Sequence, residues 1–209
     1  METETKNTIP LWLAVAITVV VALPFGIWLD KLNLPLFAAF IVWAEYFALG
    51  AKPSALKTMV PAYTLGVFGV MLIGLLYQVL AKILGDGQVL NFGLQTLTNN
   101  NVALFVSFFI GFCALIYAMK YLPVTQVGSL PFFNGITMFL ACYFTGTFLG
   151  WFKDFNVGAD TLPYAIVIFC AITAFLGGML GAFLGWFNIV IMFPRQVNKT
   201  SAAAEPVRQ

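Results

Sequence analysis

The chain contains no histidine, which removes the commonest general base, the commonest metal ligand and the usual pH switch together. Its three cysteines, Cys113, Cys142 and Cys170, stand singly in separate apolar stretches without Cys-x-x-Cys spacing. They read as small buried hydrophobes rather than a redox pair or metal site. No glycine-rich phosphate loop precedes a Lys-Ser or Lys-Thr pair, and Asp30, Asp86, Asp154 and Asp160 are scattered among loops. Neither a cofactor nor a metal is predicted, and the chain does not read as an enzyme. Charge is equally scarce: 9% of residues are charged, and a net charge of +2 spread along the chain offers nucleic acid no basic stripe.

What fills the chain instead is apolar. Hydrophobic residues make up 61% and mean hydropathy is +0.95, well beyond soluble domains, so the lipid bilayer is the first partner to expect. Crossing about 30 Å of hydrocarbon takes about 20 helical residues. Runs of that order lie at Ile9 to Leu29, Leu34 to Ala51, Met59 to Leu84, Val102 to Leu122, Leu130 to Phe152 and Leu162 to Phe193. The predicted fold is an all-α integral membrane protein of six transmembrane helices in a single membrane domain. Residues 9–84 and 102–193 form two three-helix halves, 85–101 an external loop, and 194–209 a flexible tail with nothing to bury. The second run is short and starts at a proline, which predicts a tilted, thinned or partly unwound helix. The sixth is long for one crossing and predicts tilt, a kink near Gly177-Gly178, or an end outside the bilayer.

Basic residues orient these spans. With a cytoplasmic N-terminus, Lys6, Lys52, Lys57, Lys120, Arg195, Lys199 and Arg208 lie inside, and Lys31, Lys82 and Lys153 outside. This satisfies the positive-inside rule and puts both termini in the cytoplasm. The first run has acidic Glu2 and Glu4 before it and no small-residue cleavage pattern after it, so it reads as a retained span. Within the external loop, Val89 to Leu97 is mildly amphipathic, consistent with a surface helix or a gate.

The halves share a pattern. Leu34, Pro35, Phe37 and Gly50 recur 96 positions later as Leu130, Pro131, Phe133 and Gly146, with Ala39/Gly135, Trp43/Phe139 and Phe47/Tyr143 similar. Three-span halves must insert in opposite orientations, so this duplication predicts a 3+3 inverted repeat with related segments flanking a midplane site. The first and third spans of each half hardly match.

Glu45 is the acidic residue set clearly inside a span. A carboxylate in hydrocarbon costs at least a few kcal/mol, so it faces a polar cavity, finds a partner or stays protonated. One reading makes it an anchor that snorkels inward or pairs with Lys52; the other gives it a solute. For the second reading, Trp43, Tyr46, Asn134, Thr137 and Tyr143 supply polar or aromatic lining, and Phe37 and Phe133 narrow the passage between the second and fifth spans. Each of these polar groups also has an ordinary alternative, an interhelical hydrogen bond. Thr173, Gly177, Gly181 and Gly185 fall on one stripe of the last span and predict close helix packing, within the chain or against a second subunit in a homo-oligomer. Trp12, Trp28, Trp151 and Trp186 sit near span ends as interfacial anchors, whereas Trp43 lies deeper.

Trp43-Ala44-Glu45-Tyr46-Phe47-Ala48-Leu49-Gly50 followed by Lys57 and a glycine-rich span, together with Leu130 to Gly135, Tyr143 to Gly146 and the glycine-rich last span, resembles the YcdZ-like bacterial inner-membrane proteins, domain of unknown function 1097. The resemblance runs from about Leu11 to Phe193; the loop at 85–101 and the polar tail depart from it. It implies a location in the bacterial inner membrane and brings no activity or binding residues with it. The residues themselves point to a channel or secondary transporter for a small neutral or weakly cationic solute. The competing reading is a nonenzymatic scaffold that docks a partner through its last helix.

Overall fold

The computed structural model describes residues 3–84, 99–150, 152 and 155–198. Each of the six apolar runs is helical: α1 (Leu11–Ile27), α2 (Leu36–Ala48), α3 (Pro53–Ile83), α4 (Asn99–Met119), α6 (Ser129–Thr145) and α7 (Leu162–Ile191). A short α5 (Pro123–Val127), absent from the hydropathy reading, makes seven helices among the described residues. Three of them, α3, α4 and α7, are long and apolar enough to cross a membrane, while α1, α2 and α6 have 17, 13 and 17 residues. At 1.5 Å per residue α2 is about 20 Å long and α7 about 45 Å.

Helix ends follow local chemistry. Pro35 caps α2, and Pro53 opens α3 at the first turn, where its missing N–H costs nothing. The helices α2 and α6 stop in the same way. Past α2, Gly50 has φ +90 and Ala51 N–H donates to the Tyr46 carbonyl at 2.9 Å; past α6, Gly146 has φ +65 and Thr147 N–H donates to the Cys142 carbonyl at 2.9 Å. The left-handed turn reverses the chain while satisfying a terminal carbonyl. This stop ends α6 at Thr145, seven residues before the Phe152 boundary that hydropathy predicts. In α7, by contrast, Gly177 and Gly178 do not interrupt the helix, which is continuous to Ile191.

The broadest interfaces are α3 against α6 and α2 against α7. Glycine makes both possible. A Cβ on Gly181 would overlap the backbone carbonyl of Ala39, and one on Gly177 would come within 2.9 Å of Pro35 Cγ. A Cβ on Gly66 would overlap the Phe132 carbonyl, and one on Gly135 the Tyr63 carbonyl. Contact positions rise together along α2 and α7, as they do along α3 and α6, so each pair is parallel. Between α3 and α7 the order reverses, with Tyr63 beside Ala174 and Gly74 beside Val167. The outer helices repeat one arrangement: α1 lies antiparallel on α7 through Thr18 and Asn188, and α4 antiparallel on α3 through Gly69–Leu115 and Gly111–Ile73. The six longer helices therefore alternate in direction.

The interior holds Val42, Tyr46, Tyr63, Val67, Phe132 and Phe139 among its fully buried side chains. At one end of the bundle, β1 (Thr3–Asn7) pairs antiparallel with β2 (Pro194–Asn198). The start of the expected flexible tail is thus a strand, because backbone groups leaving α7 meet those entering α1; Thr8 N–H also donates to the Met192 carbonyl at 3.0 Å. Both ends of the described chain lie on the same side. The predicted surface helix or gate at 89–97, Trp151, Lys153 and the tail beyond Asn198 lie outside the described residues.

If backbone contact at glycine holds the two main crossings, Gly181→Ala and Gly66→Ala each lower stability by about 1–3 kcal/mol through overpacking. Gly69→Ala, which meets only the flexible Leu115 side chain, costs less. Thermal unfolding in mild detergent ranks the three, and an unchanged melting temperature for Gly181→Ala would mean that α2 is free to step back from α7.

Candidate functional site

Glu45 sits in the last turn of α2 and is 2% exposed. Its Oε1 accepts a hydrogen bond from Asn134 Nδ2, carried near the start of α6, where the two short helices cross in opposite directions. Its Oε2 has no hydrogen-bond partner. The pair lines a groove of about 260 Å³ whose other walls are Ile41, Ala44 and Ala48 of α2 and Leu130 of α6. The groove opens sideways: Ile41 is 40% and Leu130 48% exposed, and Ala44 and Ala48 are exposed too. No basic residue lines it among the described residues. The snorkelling reading of Glu45 does not describe this geometry, since the carboxylate turns to Asn134.

The remaining candidates separate. Phe37 is 41% exposed, Phe133 45% exposed, and Thr137 is exposed with its hydroxyl donating to the Phe133 carbonyl at 2.9 Å. These three point out of the bundle and do not narrow a passage, because the inward positions of α2 and α6 are taken by Ala38, Ala39, Phe132 and Gly135 at the helix crossings. Trp43 faces the opposite way, packed with Ala22, Leu180 and Leu184 between α1 and α7. Tyr46 is fully buried where a Cβ on Gly185 would come within 2.8 Å of its own. Tyr143 accepts a hydrogen bond from Gln78 Nε2 at 2.9 Å, a tie between α6 and α3. Apolar and aromatic side chains from α2, α3, α6 and α7 form the main buried cluster.

The last-helix stripe divides as well. Gly177, Gly181 and Gly185 all meet α2 of the same chain. Thr173 instead serves the loop after α6, accepting from Leu149 N–H at 3.1 Å while donating to the Phe169 carbonyl at 2.7 Å. Trp12, Trp28 and Trp186 are exposed near helix ends, as anchors should be. Among the cysteines, Cys142 and Cys170 are buried, but Cys113 is exposed on the outer side of α4, a helix with few neighbours to cover it.

Three polar contacts carried no sequence signal beyond residue type. Tyr63 Oη donates to the Ala174 carbonyl at 2.8 Å where α3 crosses α7. Asn188 Nδ2 donates to Thr18 Oγ1 at 2.9 Å, fastening α1 to α7. Gln78 was equally unmarked; its partner depends on where α3 and α6 touch.

Comparison with protein-family models, curated proteins and solved structures finds no match.

The Glu45–Asn134 contact is testable as a unit. Glu45→Leu and Asn134→Leu each leave a polar partner stranded and lower stability by about 1–3 kcal/mol. The double variant loses less than the sum, with a coupling of about 0.5–3 kcal/mol in unfolding measurements. Strict additivity would mean that the two side chains do not hold each other.

Proposed function

We propose that the protein is a secondary transporter for a small neutral or weakly cationic solute, working from Glu45 at the junction of α2 and α6. The carrying observation is a buried carboxylate, one oxygen unpartnered, where two short helices of opposite direction meet beside a groove. Discontinuous or short helices at matching positions of two halves are where membrane transporters place their substrates. The apolar and aromatic packing among α2, α3, α6 and α7 favours alternation between conformations over a standing channel.

The same reading takes all six longer helices as membrane spans forming a 3+3 inverted repeat. It is supported by the alternating directions, by the matched caps at Gly50 and Gly146, and by the parallel pairing of α2 with α7 and α3 with α6. Termini on one side fit an even number of crossings, and the basic residues make that side cytoplasmic. Placement in a bacterial inner membrane rests on the resemblance to the YcdZ-like proteins. The function is nonenzymatic in this reading. A docking scaffold is the weaker alternative, because the glycine stripe it would present is already covered by α2.

Reconstituted into liposomes, the protein is expected to carry at least one solute from a panel of small neutral molecules and weak amines. Glu45→Gln, checked for folding by size-exclusion chromatography, lowers that flux about tenfold or more, equivalent to about 1.4 kcal/mol. Folded protein that moves nothing faster than empty liposomes would overturn the assignment.

A further inference from the structure

The groove at Glu45 differs from the other lateral hollows on the bundle. The one between α3 and α4, about 280 Å³ and lined by Gly69, Leu72, Ile73, Leu76, Gly111, Ala114 and Leu115, presents only apolar side chains. Lipid tails fill such a surface without any specific partner. The Glu45 groove has the same apolar rim but is also lined by Glu45 and Asn134, and Glu45 keeps one buried carboxylate oxygen without a donor. An uncompensated charge in surroundings of low dielectric is costly, and a cation that also donates a hydrogen bond removes the charge and the unmet acceptor together.

We propose that this groove binds a lipophilic ammonium ion, entering sideways from the bilayer, with its N–H on Glu45 Oε2 and its hydrocarbon portion against Ile41, Ala44 and Leu130. This deepens the transport reading and rests on it for its role, although binding can be measured without flux. Charge complementarity selects the occupant. Among the described residues the walls offer no cation, so an acidic headgroup or an anion would meet a carboxylate with nothing there to offset the repulsion. Asn134 holds Oε1, leaving Oε2 as the oxygen for the ligand. The hydrocarbon rim excludes a strongly hydrated ion, which would lose its water shell for a single oxygen. A groove of about 260 Å³ accommodates an amine with one aromatic ring or a short chain.

Benzylammonium is the probe, with benzyl alcohol as a neutral donor of nearly the same shape. Equilibrium dialysis against the protein in nanodiscs, corrected with empty nanodiscs, should give saturable benzylammonium binding and at least about tenfold weaker binding of benzyl alcohol. Glu45→Gln should weaken benzylammonium about tenfold or more, the scale of losing a charge-assisted contact. Glu45→Asp should restore part of it. Ala44→Trp fills the exposed mouth without touching the core, and should abolish binding in a protein that still folds. Absence of saturable binding, equal binding of the alcohol, or unchanged binding in folded Ala44→Trp would each overturn the proposal. Flux of a neutral solute without amine binding would sink this site and leave the transporter standing; amine binding without flux of any solute would do the reverse.

Discussion

The architecture depends on two places where helix backbones touch. Between apolar helices in lipid there is little hydrophobic force, since lipid tails are as apolar as leucine; close packing and buried hydrogen bonds have to supply the association. Gly181 lets α7 rest on the Ala39 carbonyl, and Gly66 with Gly135 lets α3 and α6 interlock in the same way. Once these crossings are set, the short α2 and α6 are held on the flanks of the long α7 and α3. Their ends then meet across a narrow contact, and that contact is where Glu45 finds Asn134.

Buried polar groups in this bundle mostly tie helix to helix. Tyr63 reaches the α7 backbone, Gln78 holds Tyr143, and Asn188 holds Thr18, each bond joining elements distant in the chain. Each such pair lowers the cost of burying a polar side chain and fixes rotation of a helix that apolar packing alone leaves loosely defined. Glu45 shares this role through one oxygen, and like Gln78 and Asn188 it leaves a buried oxygen without a donor. What separates Glu45 from the other ties is that it carries a carboxylate and lines, with Asn134, a groove open to the side.

The sequence match in Leu-Pro-x-Phe and in Gly50/Gly146 has a physical counterpart at the helix ends. Both glycines adopt left-handed conformations and both turns close with the same backbone bond, so these matches mark positions where the chain needs φ > 0. The matched phenylalanines have a different cause. Phe37 and Phe133 both sit on the outer face of the bundle, 41% and 45% exposed. Similar residues at equal spacing thus reflect equal environments, and an outward environment is as repeatable as a lining one.

Hydropathy by itself located the six longer helices, because long apolar runs satisfy their backbone bonds most simply within a helix. Pro35 and Gly50 likewise announced their boundaries through φ restrictions that act locally, whereas α3 starts at Pro53, six residues before the Met59 boundary that hydropathy predicts. The small-residue spacing of Gly177, Gly181 and Gly185 foretold close packing, but only the fold decided that α2 of the same chain is the partner. Which way each helix faces was not legible: α1 to α7 are apolar nearly all round, so no amphipathic stripe distinguishes core from lipid. For that reason Thr137, Phe37, Phe133 and Cys113 turned outward against expectation, while Trp43 and Tyr46 went to different neighbours than Glu45. The meeting of Glu45 with Asn134 was likewise a tertiary outcome, since residues 89 positions apart come together only after two pairs of glycine-faced helices have locked in register.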